Sequence, residues 1–323
     1  MERLAILAPA TVRRVPSVFD VALAALAALA ALVASHADTI GTFEHRPVIV
    51  TAPVQFVRLL SGVPRPASVA VSPDGRVTVT DNATRLTKVF LSSGDELALL
   101  PAPREAEESP SSPFGVAVDE AGHTYISDPI HKEVLVYRTD DRRPSPFAGP
   151  EWGARIPGAL FARDGRLYVA DIGMHQIVVI DIAREKRVAV IGAGEGDGLG
   201  ELRYPNGVWV SPEGVIYVSD TNNDRIQRFT ADGTAMSSWS GPFKNPRGLA
   251  GDGNGRLFVA NTLAHEVLVI DHNGTPIGRI DRAGSRELGF PTGLALVNDR
   301  LLVTDRDAQG VFEWKLTEGR RTQ

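Results

Sequence analysis

A closed ring of six four-stranded blades, an all-β propeller, is the fold class this sequence predicts, and three observations carry the prediction. The first is a repeat. A glycine or other small residue opens an apolar run, a turn follows, and a second apolar run ends on Asp or Asn. The openings are Ser68, Gly115, Gly158, Gly207, Gly248 and Gly293; the closings are Asp81, Asp128, Asp171, Asp220, Asn261 and Asp305. Successive openings lie 41 to 49 residues apart, the period of a supersecondary unit that buries its apolar face only against its neighbours. The second is the residue two before each close: Val79, Ile126, Val169, Val218, Val259 and Val303 are all β-branched, as a half-buried pleated strand favours. The third is at the ends, where a strand-like QFVRLL (Gln55 to Leu60) precedes the first repeat and the sixth repeat lacks an outer strand.

Taken in order, residues 1–37 read as an export signal. Arg3, Arg13 and Arg14 precede an unbroken apolar run from Val21 to Ala34, and Ser35-His36-Ala37 supplies the small residues of a cleavage site. That run would span about 21 Å at ~1.5 Å per residue, short of the roughly 30 Å hydrocarbon core. Cleavage after Ala37 is the first expectation; an uncleaved signal-anchor with Arg13 and Arg14 inside is the second. Either way the ring is expected outside the cytoplasm: periplasmic, extracellular, or anchored to the outer face of a membrane through this segment alone. Arg13-Arg14 lacks twin-arginine surroundings, and the absence of cysteine removes both a lipoprotein anchor and disulfides. Residues 38–53 are expected to be a linker, 54–317 the ring and 318–323 a tail.

Within the blades, Asp74-Gly75, Gly122, Asp164-Gly165, Glu213-Gly214 and Asn254-Gly255 mark turns between the first two strands. A third strand follows the close, as in RIQRF (Arg225 to Phe229) or EVLVI (Glu266 to Ile270), and Asp232-Gly233 or Asn273-Gly274 turns into an outer strand. The residue before each close is Thr80, Ser127, Ala170, Ser219, Ala260 or Thr304, always small, which suits crowding where sheets meet. VFEWKL (Val311 to Leu316) ends the sixth blade, so the N-terminal QFVRLL is expected to pair with it and clasp the ring, satisfying two open edges. Deletion of Val48–Leu60 is then expected to destabilise the whole domain.

The segment YPNGVWVSPEGVIYVSDTNNDRIQRF (Tyr204 to Phe229) resembles an NHL repeat, and NPRGLAGDGNGRLFVAN (Asn245 to Asn261) and SPFGVAVDEAGHTYISD (Ser112 to Asp128) follow the same consensus. The resemblance spans roughly Gln55 to Leu316. It implies the propeller but no single activity, since NHL rings include binders, sensors and enzymes. Six-bladed calcium-dependent lactonases resemble blade four, where Asn206-Gly207 and then Asp220 stand like their metal-binding Asn and Asp. Their acidic ligand at the head of the first blade is missing, because Arg65-Pro66-Ala67-Ser68 stands there, and Ile156-Pro157-Gly158 offers no side-chain oxygen; calcium takes roughly six to eight oxygens. Peptide-amidating lyases share an NHL-like ring and hold zinc through channel-facing histidines. No residue before an opening is His here, so zinc would have to gather His175, His265 and His131.

Without residues 1–37, which hold three of the 34 basic and two of the 39 acidic residues, the chain carries a net charge of −6. No basic stripe interrupts this acidic balance, so nucleic acid is excluded as a partner. A chain of this length buries about 75% of its unfolded surface, so a single monomeric domain is expected. No G-x-S-x-G, H-E-x-x-H or cysteine nucleophile occurs. GAGEGDGLG (Gly192 to Gly200) lacks the Lys and the helix of a phosphate loop and reads as the connection between blades three and four. Pro101–Ser112 is an acidic, proline-rich insertion, read as a solvated linker or a flap on the functional face.

Positions alike in all blades serve the blade; those that vary are free to serve a ligand. The closing Asp series is therefore assigned to local backbone capping. The variable sets are the residues before the openings (Ala67, Phe114, Pro157, Asn206, Arg247, Thr292) and those four past the closings (Arg85, Lys132, His175, Asp224, His265, Gln309), both expected to face the channel. The ligand candidates are Asn206, Arg247, His175, His265, His131, Arg155 and Trp152, with Asn206 and Asp220 as the alternative metal pair. Tyr204, Phe243 and Phe290 are expected to pack between blades. The reading is a noncatalytic extracytoplasmic propeller, a sensor or scaffold that binds a small molecule, peptide, protein or envelope polymer and needs no cofactor. The alternative is a lyase or lactonase acting at the channel mouth with calcium or zinc.

Overall fold

The structure, a computed structural model, describes residues 54–100, 112–138, 143–147 and 152–317. The chain divides into two units, Met1–Pro47 and Val48–Gln323, and every described residue belongs to the second. The export signal, the linker, the 101–111 insertion and the tail lie outside the described residues. Among the described residues no helix is long and apolar enough to cross a membrane.

Six four-stranded antiparallel sheets form the six blades. Their innermost strands are Pro66–Val71, Val116–Val118, Pro157–Arg163, Gly207–Val210, Pro246–Gly251 and Pro291–Val297. Blades one to five run outward in chain order. Blade six is Pro291–Val297, Arg300–Asp305 and Gly310–Leu316, completed by the N-terminal strand Val54–Ser61. That strand pairs antiparallel from Val54↔Leu316 to Ser61↔Gly310, with a bulge between Phe56 and Arg58. The clasp is thus present as the sequence predicts. It is reinforced by an ionic relay: buried Glu313 accepts from Arg58 Nε at 2.8 Å on one side and Arg300 Nε at 2.7 Å on the other.

The core lies in slabs between adjacent blades. Alternate strand residues point to opposite faces of each sheet, so both faces must be apolar. This is why the runs before the closings read as continuous apolar segments. The small residues before the closings do more than relieve crowding: Thr80 Oγ1 donates to Phe114 O at 2.6 Å and Ser127 Oγ to Gly158 O at 2.7 Å, each reaching the next blade. Where that residue is Ala260, the hydroxyl is supplied two residues later by Thr262, which donates to Pro291 O.

All six closing residues are fully buried. Five of them accept backbone N–H groups from the segment leading into the inner strand: Asp81 from Arg65, Asp171 from Arg155 and Ile156, Asp220 from Arg203, Asn261 from Lys244, and Asp305 from Gly289 and Phe290. Four carboxylates and one amide therefore fix where five of the inner strands begin, and so help fix the residues around the ring axis.

Candidate functional site

The six inner strands surround a cavity of about 490 Å³. Five of the six residues that precede the openings line it: Ala67, Phe114, Asn206, Arg247 and Thr292. Asn206 and Arg247, expected to face the channel, are among them. Three further mouth residues, Arg65, Phe290 and Arg306, were not among the sequence candidates, and Asn82 joins them. Phe290 was expected between blades; it instead carries two guanidinium groups, Arg306 with its Cζ 4.1 Å from the ring centroid and Arg247 at 5.5 Å.

The charge at this mouth has one sign. Arg65, Arg247 and Arg306 are the charged residues of the lining, which holds no Asp, Glu or His among the described residues. None of the three makes an ion pair with any described carboxylate. Arg247 spends one donor on Asn245 Oδ1 at 3.0 Å. Burial, and then the positive charge of Arg306, lower its pKa from the usual arginine value. A guanidinium cannot escape by deprotonating in this range, so the site holds desolvated positive charge that an anion would neutralise. Asn206 Nδ2 donates to Tyr204 O at 3.0 Å.

The other candidates lie elsewhere. His175 and His265, with Arg85, Lys132, Asp224 and Gln309, all sit at φ between +50° and +61°, and none lines the cavity. The turn between second and third strands requires one left-handed residue, and Asn, Asp and His are enriched there among non-glycine types. His175 and His265 share this conformation with Arg85, Lys132, Asp224 and Gln309, so it does not require histidine. His175 Nδ1 accepts from Tyr204 N at 3.1 Å, and the two rings meet edge to face at 4.8 Å. Tyr204, itself at φ +53°, is exposed rather than packed between blades; Phe243 is buried as expected. Arg155 is exposed and contributes its backbone N–H to Asp171. Trp152 is 2% exposed and packs in the seam of blades two and three, so it offers no face to a ligand.

This assignment predicts that His265→Asn keeps stability within about 0.5 kcal/mol, while His265→Val costs about 1–2 kcal/mol through left-handed strain. Urea melts of the two variants check it; a Val variant as stable as the parent would refute it.

Neither metal suggested by the resemblances fits. Asp220 is fully buried, does not line the cavity, and has its carboxylate occupied by Arg203 N, Asn223 Nδ2, Arg225 Nε and Gln227 Nε2 at 2.6–3.0 Å. Four donors saturate it, so Asn206 and Asp220 do not form a calcium cradle. Nor are His175, His265 and His131 brought together. Among the described residues one trio of metal-type ligands occurs, Asp128, His131 and Glu133, with ligand atoms within 4.8 Å of one another. Its His131 Nδ1 to Asp128 Oδ2 contact, 2.9 Å, occupies the place of Thr84 on Asp81 and Asn223 on Asp220. It is the blade's own turn chemistry.

Residues 202–229 match the family model of the NHL repeat, and the molecule is a six-bladed β-propeller. No curated protein sequence matches the chain. Solved structures with similar architecture include virginiamycin B lyase from Staphylococcus aureus with quinupristin, 16% identical over 79% of this chain and 81% of that one, TM-score 0.59. A gluconolactonase from Xanthomonas campestris is 18% identical over 85% of this chain and 94% of that one, TM-score 0.64. Hydrazine synthase from Kuenenia stuttgartiensis is 13% identical over 85% and 99%, TM-score 0.58. At these identities the likeness establishes the fold alone.

Proposed function

We propose that this ring is a noncatalytic, extracytoplasmic binding protein for an anionic small molecule taken at the mouth of its central cavity. One observation carries the reading: three guanidinium groups converge on a single cavity with no carboxylate in its described lining and no described ion-pair partner. Arg247 and Arg306 share the ring of Phe290, which holds their planes in place, and a preorganised planar fork matches carboxylate or phosphate oxygens bidentately. Asn206 and Thr292 add neutral groups at the same rim. The lining supplies no described imidazole, thiol or carboxylate, so it contains no general acid–base pair to support the lyase or lactonase alternative. Export rests on the Val21–Ala34 run.

The test is a melting titration with phosphate and small carboxylates at constant ionic strength. At a ligand concentration of about 100 Kd the stabilisation is roughly 2.7 kcal/mol, or about 5–10 °C in Tm. Arg306→Gln relieves like-charge repulsion at the cost of one cation–π contact, so its ligand-free stability is expected within about 1 kcal/mol of the parent. It should lose most of the anion-induced shift. A parent chain indifferent to every anion, or an Arg306→Gln variant that responds as the parent does, would overturn the reading.

A further inference from the structure

Below its charged rim the cavity changes character, and that change specifies the ligand further. The charged groups sit at the heads of the inner strands: Arg65 precedes Pro66–Val71, Arg247 is the second residue of Pro246–Gly251, and Arg306 follows Asp305. Farther down, the lining is apolar: Val71, Val118, Phe161, Ala162, Leu296 and Val297. All six are only partly buried. Val71, Val118, Phe161 and Leu296 are each the third residue past an opening; in blades four and five that position is Val210 and Gly251, which do not line the cavity. Phe161 leans on the cores of two seams, blades three–four and four–five, which holds its ring rigidly. A cavity of about 490 Å³ far exceeds an inorganic anion, since a water takes roughly 30 Å³.

Resting on the anion reading above, we propose that the ligand is an amphiphilic organic anion. Its carboxylate or phosphate head lies between Arg247 and Arg306, and its extended apolar body runs down the axis past Val118, Phe161 and Leu296. Charge complementarity fixes the head. The segregation of the lining fixes the polarity of entry, head last. A six-residue strand rises about 20 Å, which accommodates a medium-length chain or a two-ring aromatic body. Compact polyanions meet the arginines but leave the apolar girdle in water; apolar cations meet the girdle but are repelled at the rim.

Calorimetric titration of the full chain with straight-chain alkanoates from acetate to decanoate, below their micellar range, tests the proposal. Decanol, decyltrimethylammonium and inorganic phosphate serve as comparators. Affinity is expected to rise about fourfold per methylene until the body fills the cavity, with decanoate well above decanol and decyltrimethylammonium silent. Val118→Thr and Val297→Thr, which place a hydroxyl in the girdle, should flatten the chain-length series and leave acetate and phosphate unchanged. Arg306→Gln should weaken all alkanoates by a similar factor. If phosphate and acetate bind but affinity does not grow with chain length, the amphiphile is wrong and the anion site stands. If decanol or decyltrimethylammonium matches decanoate, the charged head plays no part and both readings fall. Silence from every anion also removes both.

Discussion

A chain beginning at Gly62 is expected to melt about 10–20 °C below one beginning at Val48, or to fail to fold, because Val54–Ser61 is the fourth strand of the last blade. Its removal uncovers more than its own eight residues. Phe312 and Trp314, each 1% exposed, pack edge-on against Phe56 at 6.2 and 6.1 Å. Opening such side chains to water costs roughly 1.5–3 kcal/mol each. Glu313 loses Arg58 and remains in the blade with Arg300 alone; a buried carboxylate robbed of part of its compensation is costly. The Gly310–Leu316 edge also becomes a row of unpaired backbone groups, a template for association. Together these amount to about 4–6 kcal/mol, and each kcal/mol moves Tm by about 2–4 °C in a domain of this size. Differential scanning calorimetry of the two chains decides it. Restoration of the lost melting temperature by a peptide of residues 54–61 added in trans would locate the effect in the strand pairing. Two chains that melt alike would mean that the clasp contributes nothing.

The blade was legible in the sequence because its constraints recur six times. Val79 and its five equivalents are each buried on the same strand position, and five of the six closing side chains cap the same approach segment, so the blades repeat one another's message. The clasp was legible because an orphan strand and a missing strand are complementary defects. The mouth was only half legible. Residues directly before the openings extend the inner strand, so their placement around the axis follows from the strand itself, and Asn206 and Arg247 came with it. Arg65, Phe290 and Arg306 stand in the flanking loops, one or more residues outside the repeat. Which loop residue turns toward the axis depends on how the closing Asp draws that loop in. The sequence did hold a signal for one of them: Arg65 has no acid within its own loop, whereas Arg306 stands between Asp305 and Asp307. The histidines stand outside the cavity for a definable reason. A position that varies between blades can still be conformationally constrained: this left-handed turn is filled by Arg85, Lys132, His175, Asp224, His265 or Gln309, and none of them lines the cavity.

Gly207→Ala is expected to cost about 2–4 kcal/mol and to weaken the anion response, although it adds a single methyl group. A Cβ at Gly207 would lie 2.1 Å from Arg247 O and 2.9 Å from Ser219 Oγ. The first is backbone of the neighbouring blade, so relief requires moving a strand rather than a rotamer, and overpacking of that kind costs 1–3 kcal/mol or more, about the range expected here. The same carbonyl accepts from Ser219 Oγ, so the seam loses a hydrogen bond as it opens. Gly165→Ala is the control. Gly165 sits at φ +67° with nothing within 4 Å of its would-be Cβ, so it pays left-handed strain of about 1 kcal/mol and no clash. Urea melts should therefore rank Gly207→Ala well below Gly165→Ala, and only the first should alter the anion-induced Tm shift. Equal costs would show that the opening glycine is not needed for close approach between blades. The expected asymmetry follows from one piece of geometry: the carbonyl that meets Gly207 belongs to Arg247, the residue whose side chain stands at the cavity mouth. Close contact between blades four and five thus sets the position of a binding group, which ties ring packing to ligand recognition through a glycine of the cavity wall.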